Sequence, residues 1–330
     1  MKIRVVGHGG ESQFEFGPSG PWCEFRDEIL SQGHEIATEP YGANCEGLIA
    51  HKHSAAALKE AQENGVPKSR RTLVLWEPYI VEKERYQKSI LENYGFVYAP
   101  SIEWAQKVGA RSFNWPQDSV QKIEDFTQWN YRINKAIIIQ GNKFSARKGE
   151  MYSLRRKVLR KLETKIDLFG TDWNRGIGFD WLHWSMSAIN STIKELKLNS
   201  LSGIGKKYKN YFGGVASKTD TLKKYRVAIV IENSCDFVSE KLFDSISSGC
   251  IVIYVGPDLT KFGIDIPTLI QVRPSLADVK KSLDEIQGMT QEEQFALAAS
   301  QNESLRRISG EWENTIVLRD LAKDILNSFS

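Results

Sequence analysis

The chain has 330 residues and a net charge of +3 at pH 7, Lys and Arg outnumbering Asp and Glu by 44 to 41. Hydrophobic residues make up 41%, charged residues 26% and aromatics 11%, a globular profile that excludes disordered, collagen-like and disulfide-scaffold classes. The length exceeds one ordinary domain, so two are expected, and the near balance of charge argues against non-specific nucleic-acid binding, which needs a large positive field.

Strand candidates in the first half are Lys2–Val6, Gly47–Ala50, Thr72–Trp76, Phe96–Ala99 and Arg111–Asn114. Amphipathic stretches between them predict helices at Trp22–Gln32, Ser54–Asn64, Glu82–Asn93 and Ile102–Val108. Gly33, Gly65 and Gly109 fall where helices should end, because glycine adopts the left-handed cap conformation without strain. This βαβ rhythm is that of a parallel sheet covered by helices.

A polar stretch from Trp115 to Arg132 marks a boundary near residue 130. The second series begins with a strand at Lys135–Gln140, a helix at Tyr152–Glu163 and a strand at Ile166–Gly170. After a Trp- and Lys-rich segment, Thr171–Asp220, it resumes with strand Tyr225–Ile231, helix Val238–Ser248, strand Ile251–Val255 and a short strand near Thr268–Val272. Helices Leu276–Gln287 and Gln291–Ile308 follow, and a last helix, Trp312–Ser328, has one apolar face that could pack back on the first half. The expected organisation is one Rossmann-like domain over 1–130, a second over 131–310, and a closing helix over 311–330.

Several motifs exclude functions. Gly7, Gly9 and Gly10 suggest a dinucleotide loop, but the spacing G-x-G-x-x-G would require glycine where Ser12 stands, so a nicotinamide enzyme is not supported. His8, His51, His53 and His183 lack a third ligand at convincing spacing, and His51 and His53 read as residues ending a strand and capping the next helix. Cys23, Cys45, Cys235 and Cys250 show no Cys-x-x-Cys pair and read as free thiols of a reducing compartment. The N-terminus MKIRVVG lacks a signal-peptide apolar region, and no apolar run approaches the ~20 residues that span a bilayer. A cytoplasmic protein is expected, with peripheral contact as its limit of membrane association. Lys206–Phe212 reads as a solvated basic loop, and Trp173, Trp181 and Trp184 as core or interface aromatics.

The segment Lys224–Pro257 carries the most information. An apolar strand ends in Glu232-Asn233-Ser234, a turn follows, a helix opens with Glu240 in its first turn, Gly249 ends it, and a second apolar strand runs to Gly256-Pro257. In an open parallel sheet the carboxyl ends of the strands form the ligand crevice, and a helix N-terminus there favours phosphate.

The order Tyr225-Arg226, Glu232-Asn233-Ser234, Asp236-Phe237-Val238-Ser239-Glu240-Lys241, Gly249 and Gly256-Pro257 resembles the donor-binding signature of the α1,3/α1,4-fucosyltransferase family. Phe237 stands for the usual Tyr and Ser239 for Thr. Ser145-Ala-Arg147, Tyr152 and the basic helix into Ile166–Gly170 resemble the family's arginine-bearing segment, with Arg147, Arg155 or Arg156 as the phosphate-facing arginine. Leu75-Trp-Glu77-Pro78 lies where the family has its proposed base. The resemblance implies two Rossmann-like domains facing a cleft (GT-B) and inverting transfer of fucose from GDP-fucose to a glycan hydroxyl. It implies Glu77 as base, a donor site of Arg147, Arg155, Asn233, Ser234, Phe237, Ser239, Glu240 and Lys241, and no required metal or cofactor. The expected partners are a nucleotide sugar and a glycan acceptor, with no nucleic acid. Two alternatives stand beside this reading: a GT-B transferase of another nucleotide sugar, and a non-catalytic sugar-nucleotide or glycan-binding module. Glu240 and Lys241 could also be solvated helix-start residues, and Glu77 a turn residue before proline.

Overall fold

The computed structural model describes residues 1–7, 23–37, 44–117, 126–173 and 208–329. Two compact units divide the chain. The first comprises Met1–Gln121, Asp236–Glu240 and Ile308–Ser330, the second Lys122–Cys235 and Lys241–Arg307.

The first unit is built on β1 (Lys2–Val6), β2 (Glu35–Ala37), β3 (Gly47–Ala50), β4 (Arg71–Val74), β5 (Phe96–Ala99) and β6 (Arg111–Ser112). They form one sheet in the order β2-β1-β3-β4-β5-β6, with every pair parallel. The register sets Val6 beside Ala50, Ala50 beside Leu73 and Val74 beside Tyr98, so the carboxyl ends align. Both faces are buried, which is why these strands read as continuous apolar runs. On one face Ile3, Val5, Ile49, Val74 and Tyr98 pack with Phe25 and Ile29 of α1 (Cys23–Ser31) and with Leu318, Leu321 and Ile325 of the C-terminal helix Asn314–Ser328. On the other, Val6, Leu48, Leu73 and Val97 meet Ala57, Leu58 and Ala61 of α2 (Ala55–Glu63). Each large aliphatic chain so enclosed stabilises the unit by about 1.5–3 kcal/mol.

The C-terminal helix is also tied by polar contacts. The Tyr98 hydroxyl donates to Asp324 at 2.7 Å, and the Arg111 guanidinium reaches the same carboxylate at 2.9 Å. Two local expectations change. The helix expected over Glu82–Asn93 is a 3-10 turn at Lys83–Tyr86 followed by the single turn α3 (Lys88–Leu91), with Gln87 extended between them. Tyr86 turns inward there, and its hydroxyl donates to the Glu77 carbonyl at 2.9 Å. The histidines do not cap α2; Ser54 does, accepting from the Ala57 amide. Strand β2 was not foreseen: its three residues have one buried side chain, too short a pattern to register as alternation. Ile102–Val108 forms α4, ending at Gly109 with φ 69°.

The second unit carries β7 (Ile133–Ile139), β8 (Ile166–Phe169), β9 (Tyr225–Ile231), β10 (Ile251–Val255) and β11 (Ile270–Gln271). They form a parallel sheet in the order β11-β10-β9-β7-β8. Its helices are α5 (Tyr152–Lys161), α6 (Lys218–Leu222), α7 (Glu240–Ser247), α8 (Leu276–Gly288) and α9 (Gln291–Ile308). Helix α6, capped by Ser217, begins within the Trp- and Lys-rich segment Thr171–Asp220. The core sets Ile138, Val227, Ile229 and Ile253 against Val158 and Leu159 of α5 and Val279, Leu283 and Ile286 of α8. Trp129 closes it at the amino edge, its indole N–H donating to the Gly249 carbonyl at 2.9 Å.

Candidate functional site

In the second unit the carboxyl ends of three strands bring two loops together. The loop from β7 to α5, residues 140–151, lies beside Glu232-Asn233-Ser234, which follows β9. The Met151 amide donates to the Asn233 carbonyl at 3.0 Å, and Glu150 forms an antiparallel bridge with Ser234. The Gln140 side-chain amide donates to the Ile231 carbonyl at 2.9 Å. Gly170, at the end of β8, has φ 128°, and any Cβ there would collide with the Gln140 carbonyl, so only glycine permits this approach.

Arg155 locks the arrangement. Its guanidinium donates to the carbonyls of Gly141 at 3.2 Å and Ile231 at 2.8 Å, and to Asn233 Oδ1 at 3.4 Å. The side chain is 2% exposed, and burial pushes its pKa down to about 10, with Tyr152 and Glu232 nearby opposing the fall. Glu232 is fully buried; its Oε1 lies 3.5 Å from the Tyr254 hydroxyl, whose pKa burial and that carboxylate raise. The fully buried guanidinium offers no surface to a ligand.

Other basic groups of the same loop remain accessible. Arg147 is half-buried, and Lys143 and Lys148 are exposed. Lys241, in the first turn of α7, lines a recess with Gln140, Ile139, Ala228, Val230 and Ser245, on the sheet face opposite the main core. Lys218 and Asp244 border it too, with Lys218 Nζ 4.0 Å from an Asp244 oxygen.

The residues expected at the donor site therefore separate. Asn233 and Ser234 lie at the loop junction, Arg155 behind it, Arg147 on the loop and Lys241 in the recess. The stretch Asp236–Glu240 belongs to the first unit. Phe237 is 3% exposed, its ring edge-on to Trp115 with centroids 5.6 Å apart. Ser239 is buried and Glu240 half-buried. Asp236 accepts from the Ser101 hydroxyl at 2.7 Å, while Ser101 also accepts from the Trp104 amide as the cap of α4.

Glu77 lies three residues past the end of β4 and is half-buried. Next to it, the Trp76 indole donates to His51 Nδ1 at 3.1 Å, which places the neutral ring's proton on Nε2. His51 is fully buried at the end of β3, stacked on Trp76 and edge-on to Phe25. Sequence reasoning missed this pair and the Ser101–Asp236 contact, because each joins residues far apart in the chain. Trp173 is buried and donates to the Gln140 carbonyl. His8, Gly9, Gly10, Ser12, Trp181, Trp184, His183, Lys206 and Lys207 lie outside the described residues. Among the described residues, no three His, Cys, Asp or Glu side chains converge where they could hold a metal ion, and no helix is long and apolar enough to cross a membrane.

No protein-family profile and no curated protein sequence matches the chain. Solved structures do. HepE of Anabaena, in complex with UDP and glucose, is 10% identical over 99% of this chain and 100% of its own, with a TM-score of 0.58. A trehalose-6-phosphate synthase studied for glycosyl transfer with retention is 10% identical over 92% of this chain and 77% of its own, at 0.54. An α,α-trehalose-phosphate synthase (UDP-forming) from Burkholderia xenovorans, in complex with glucose-6-phosphate, is 9% identical over 97% and 80%, at 0.53. The fold class is thereby that of the GT-B glycosyltransferases: mixed α/β, with two Rossmann-like units, each on a parallel sheet.

Proposed function

We propose that the chain is a glycosyltransferase that takes its sugar from a nucleoside-diphosphate donor bound by the second unit. The observation that carries this reading is the junction of the 140–151 loop with Glu232-Asn233-Ser234 at the carboxyl edge of the sheet, where doubly wound folds bind nucleotides. The loop carries Arg147, Lys143 and Lys148, and Lys241 lines the recess that also includes Gln140, cations suited to a departing diphosphate. Arg155, Gln140 and Gly170 hold the loop backbones in place.

A UDP-sugar is the donor we favour. HepE was solved with UDP and glucose and with UDP-glucose, and the Burkholderia synthase is UDP-forming. A second reading rests on the order of residues from Lys224 to Pro257: inverting transfer of fucose from GDP-fucose to a glycan hydroxyl. In that case Glu77 of the first unit removes the acceptor proton, the oxygen attacks the anomeric carbon, and the sugar–phosphate bond breaks with its electron pair passing to the diphosphate.

Calorimetric titration with UDP and GDP separately tests the proposal and selects the base. Binding of either supports it, and binding of neither to the folded protein overturns it. Lys241→Ala should weaken the nucleotide that binds by about 1–3 kcal/mol, the range of charge-assisted hydrogen bonds. The anomeric configuration of the product, read by NMR, separates retention from inversion.

A further inference from the structure

The first unit contains a pocket of about 420 Å³ at the amino edge of its sheet, the end opposite Glu77 and His51. It lies between α3 and the carboxyl end of α4. Its volume falls in the range of about 300–1,000 Å³ typical of small-molecule sites. Leu91, Val97 and Val108 supply aliphatic surface, and Tyr86 and Tyr94 supply aromatic surface.

Both phenols are engaged elsewhere. The Tyr86 hydroxyl donates to the Glu77 carbonyl at 2.9 Å, and the Tyr94 hydroxyl pairs with His53 Nδ1 at 2.9 Å. These rings therefore present carbon to the pocket. Two lining main-chain amides are also engaged: that of Gly95 donates to the Arg71 carbonyl, and that of Gly109 closes α4.

Charge is confined to three lining side chains. Lys88 is exposed, its Nζ 3.4 Å from Glu92 one turn along. Lys107 lies over the Trp104 ring, 4.0 Å from its centroid. Two cations against one carboxylate leave the lining net positive, with Leu91, Val97 and Val108 as its aliphatic part. We propose that this pocket binds a single-chain amphiphilic carboxylate, its apolar body against Leu91, Val97 and Val108 and its carboxylate between Lys88 and Lys107. The pocket's size suits one chain, so the ligand we argue for is a free amphiphile. This inference is independent of the donor-site reading.

Calorimetry of the full chain with decanoate, below its micellar concentration, tests it, with decylamine as the control of opposite charge. Saturable binding of one decanoate per chain is expected, with decylamine at least several-fold weaker. The double variant Lys88→Glu, Lys107→Glu should weaken decanoate about tenfold, the combined effect of two exposed ion pairs; it loses the Lys88–Glu92 pair and the Lys107–Trp104 contact, so its thermal transition is recorded to establish that it is folded at the titration temperature. Absence of saturable decanoate binding overturns the proposal. So does equal binding of decylamine, or decanoate binding indifferent to the double substitution. UDP and GDP affinities serve as a separate readout of the donor site and should not respond to it.

Discussion

Replacing Arg155 by Met separates a residue that builds the loops of the proposed donor site from one that touches the donor. The guanidinium is fully enclosed, and the fall of its pKa from 12.5 to about 10 means that holding the charge there costs about 3 kcal/mol. Against this stand two well-formed charged hydrogen bonds, to Ile231 and Gly141, at about 1.5–3 kcal/mol each. The contact to Asn233 at 3.4 Å adds little. In the variant the Ile231 carbonyl keeps the Gln140 amide, the Gly141 carbonyl loses the guanidinium, and Glu232 loses the cation nearby. Met fills the space with apolar atoms, so the net loss should be about 1–3 kcal/mol. For a unit of this size that is a fall in melting temperature of about 2–12 °C. Scanning calorimetry measures it, and nucleotide titration of the folded variant should show less than a tenfold loss of affinity. Lys241→Ala should show the converse, with its larger effect on nucleotide affinity. An Arg155→Met protein with wild-type melting and abolished nucleotide binding would refute this reasoning and return Arg155 to the diphosphate.

Three further outcomes follow from the same geometry. Glu77→Gln should lower turnover by about 10²–10⁴-fold with donor affinity retained if the enzyme inverts, and wild-type turnover would remove Glu77 from the base role. Phe237→Tyr places a hydroxyl in the aromatic packing around Trp115, where a buried group without a partner costs about 1–3 kcal/mol; a lower melting temperature with no gain in nucleotide affinity is expected. Burial holds the His53 pKa below 6.5, so the neutral ring's contribution is present above that value and is lost as pH falls through the lowered folded value. Melting temperatures measured from pH 7.5 to 5 should therefore fall less steeply in His53→Asn than in the parent.

Much of the fold was legible because parallel strands buried on both faces leave uninterrupted apolar runs. Ile251–Val255 has five buried residues in a row, and Gly109 punctuates α4 through a left-handed cap. What failed had weaker physical signals. Glu35–Ala37 is an edge strand with one buried side chain, and the stretch from Glu82 to Asn93 lacks an apolar stripe, its one large inward anchor being Tyr86. At the site, the strand-end turn Glu232-Asn233-Ser234 was visible as a break between two apolar runs. The role of Arg155 was not, because an arginine on a basic helix looks the same in sequence whether it faces a phosphate or three carbonyls.

The stretch from Asn233 to Lys241 shows why order in sequence can exceed unity in space. Its nine residues read as one loop of one site, yet Asn233 and Ser234 join the second unit, Asp236–Glu240 the first, and Lys241 the second again. The physical reason lies in the side chains. Phe237 is an apolar ring that must be buried, and it is covered by Trp115; Asp236 finds a donor in Ser101, itself wholly enclosed. Two anchors of this kind fix the middle of the loop in the first unit. Its two ends stay with β9 and α7, whose strand and helix bonds belong to the second. Phe237, which stands where the resembling family has Tyr, is a buried ring packed edge-on to Trp115. In the proposed donor site, Arg147, Lys241 and the 140–151 loop are therefore the groups that the nucleotide titrations test.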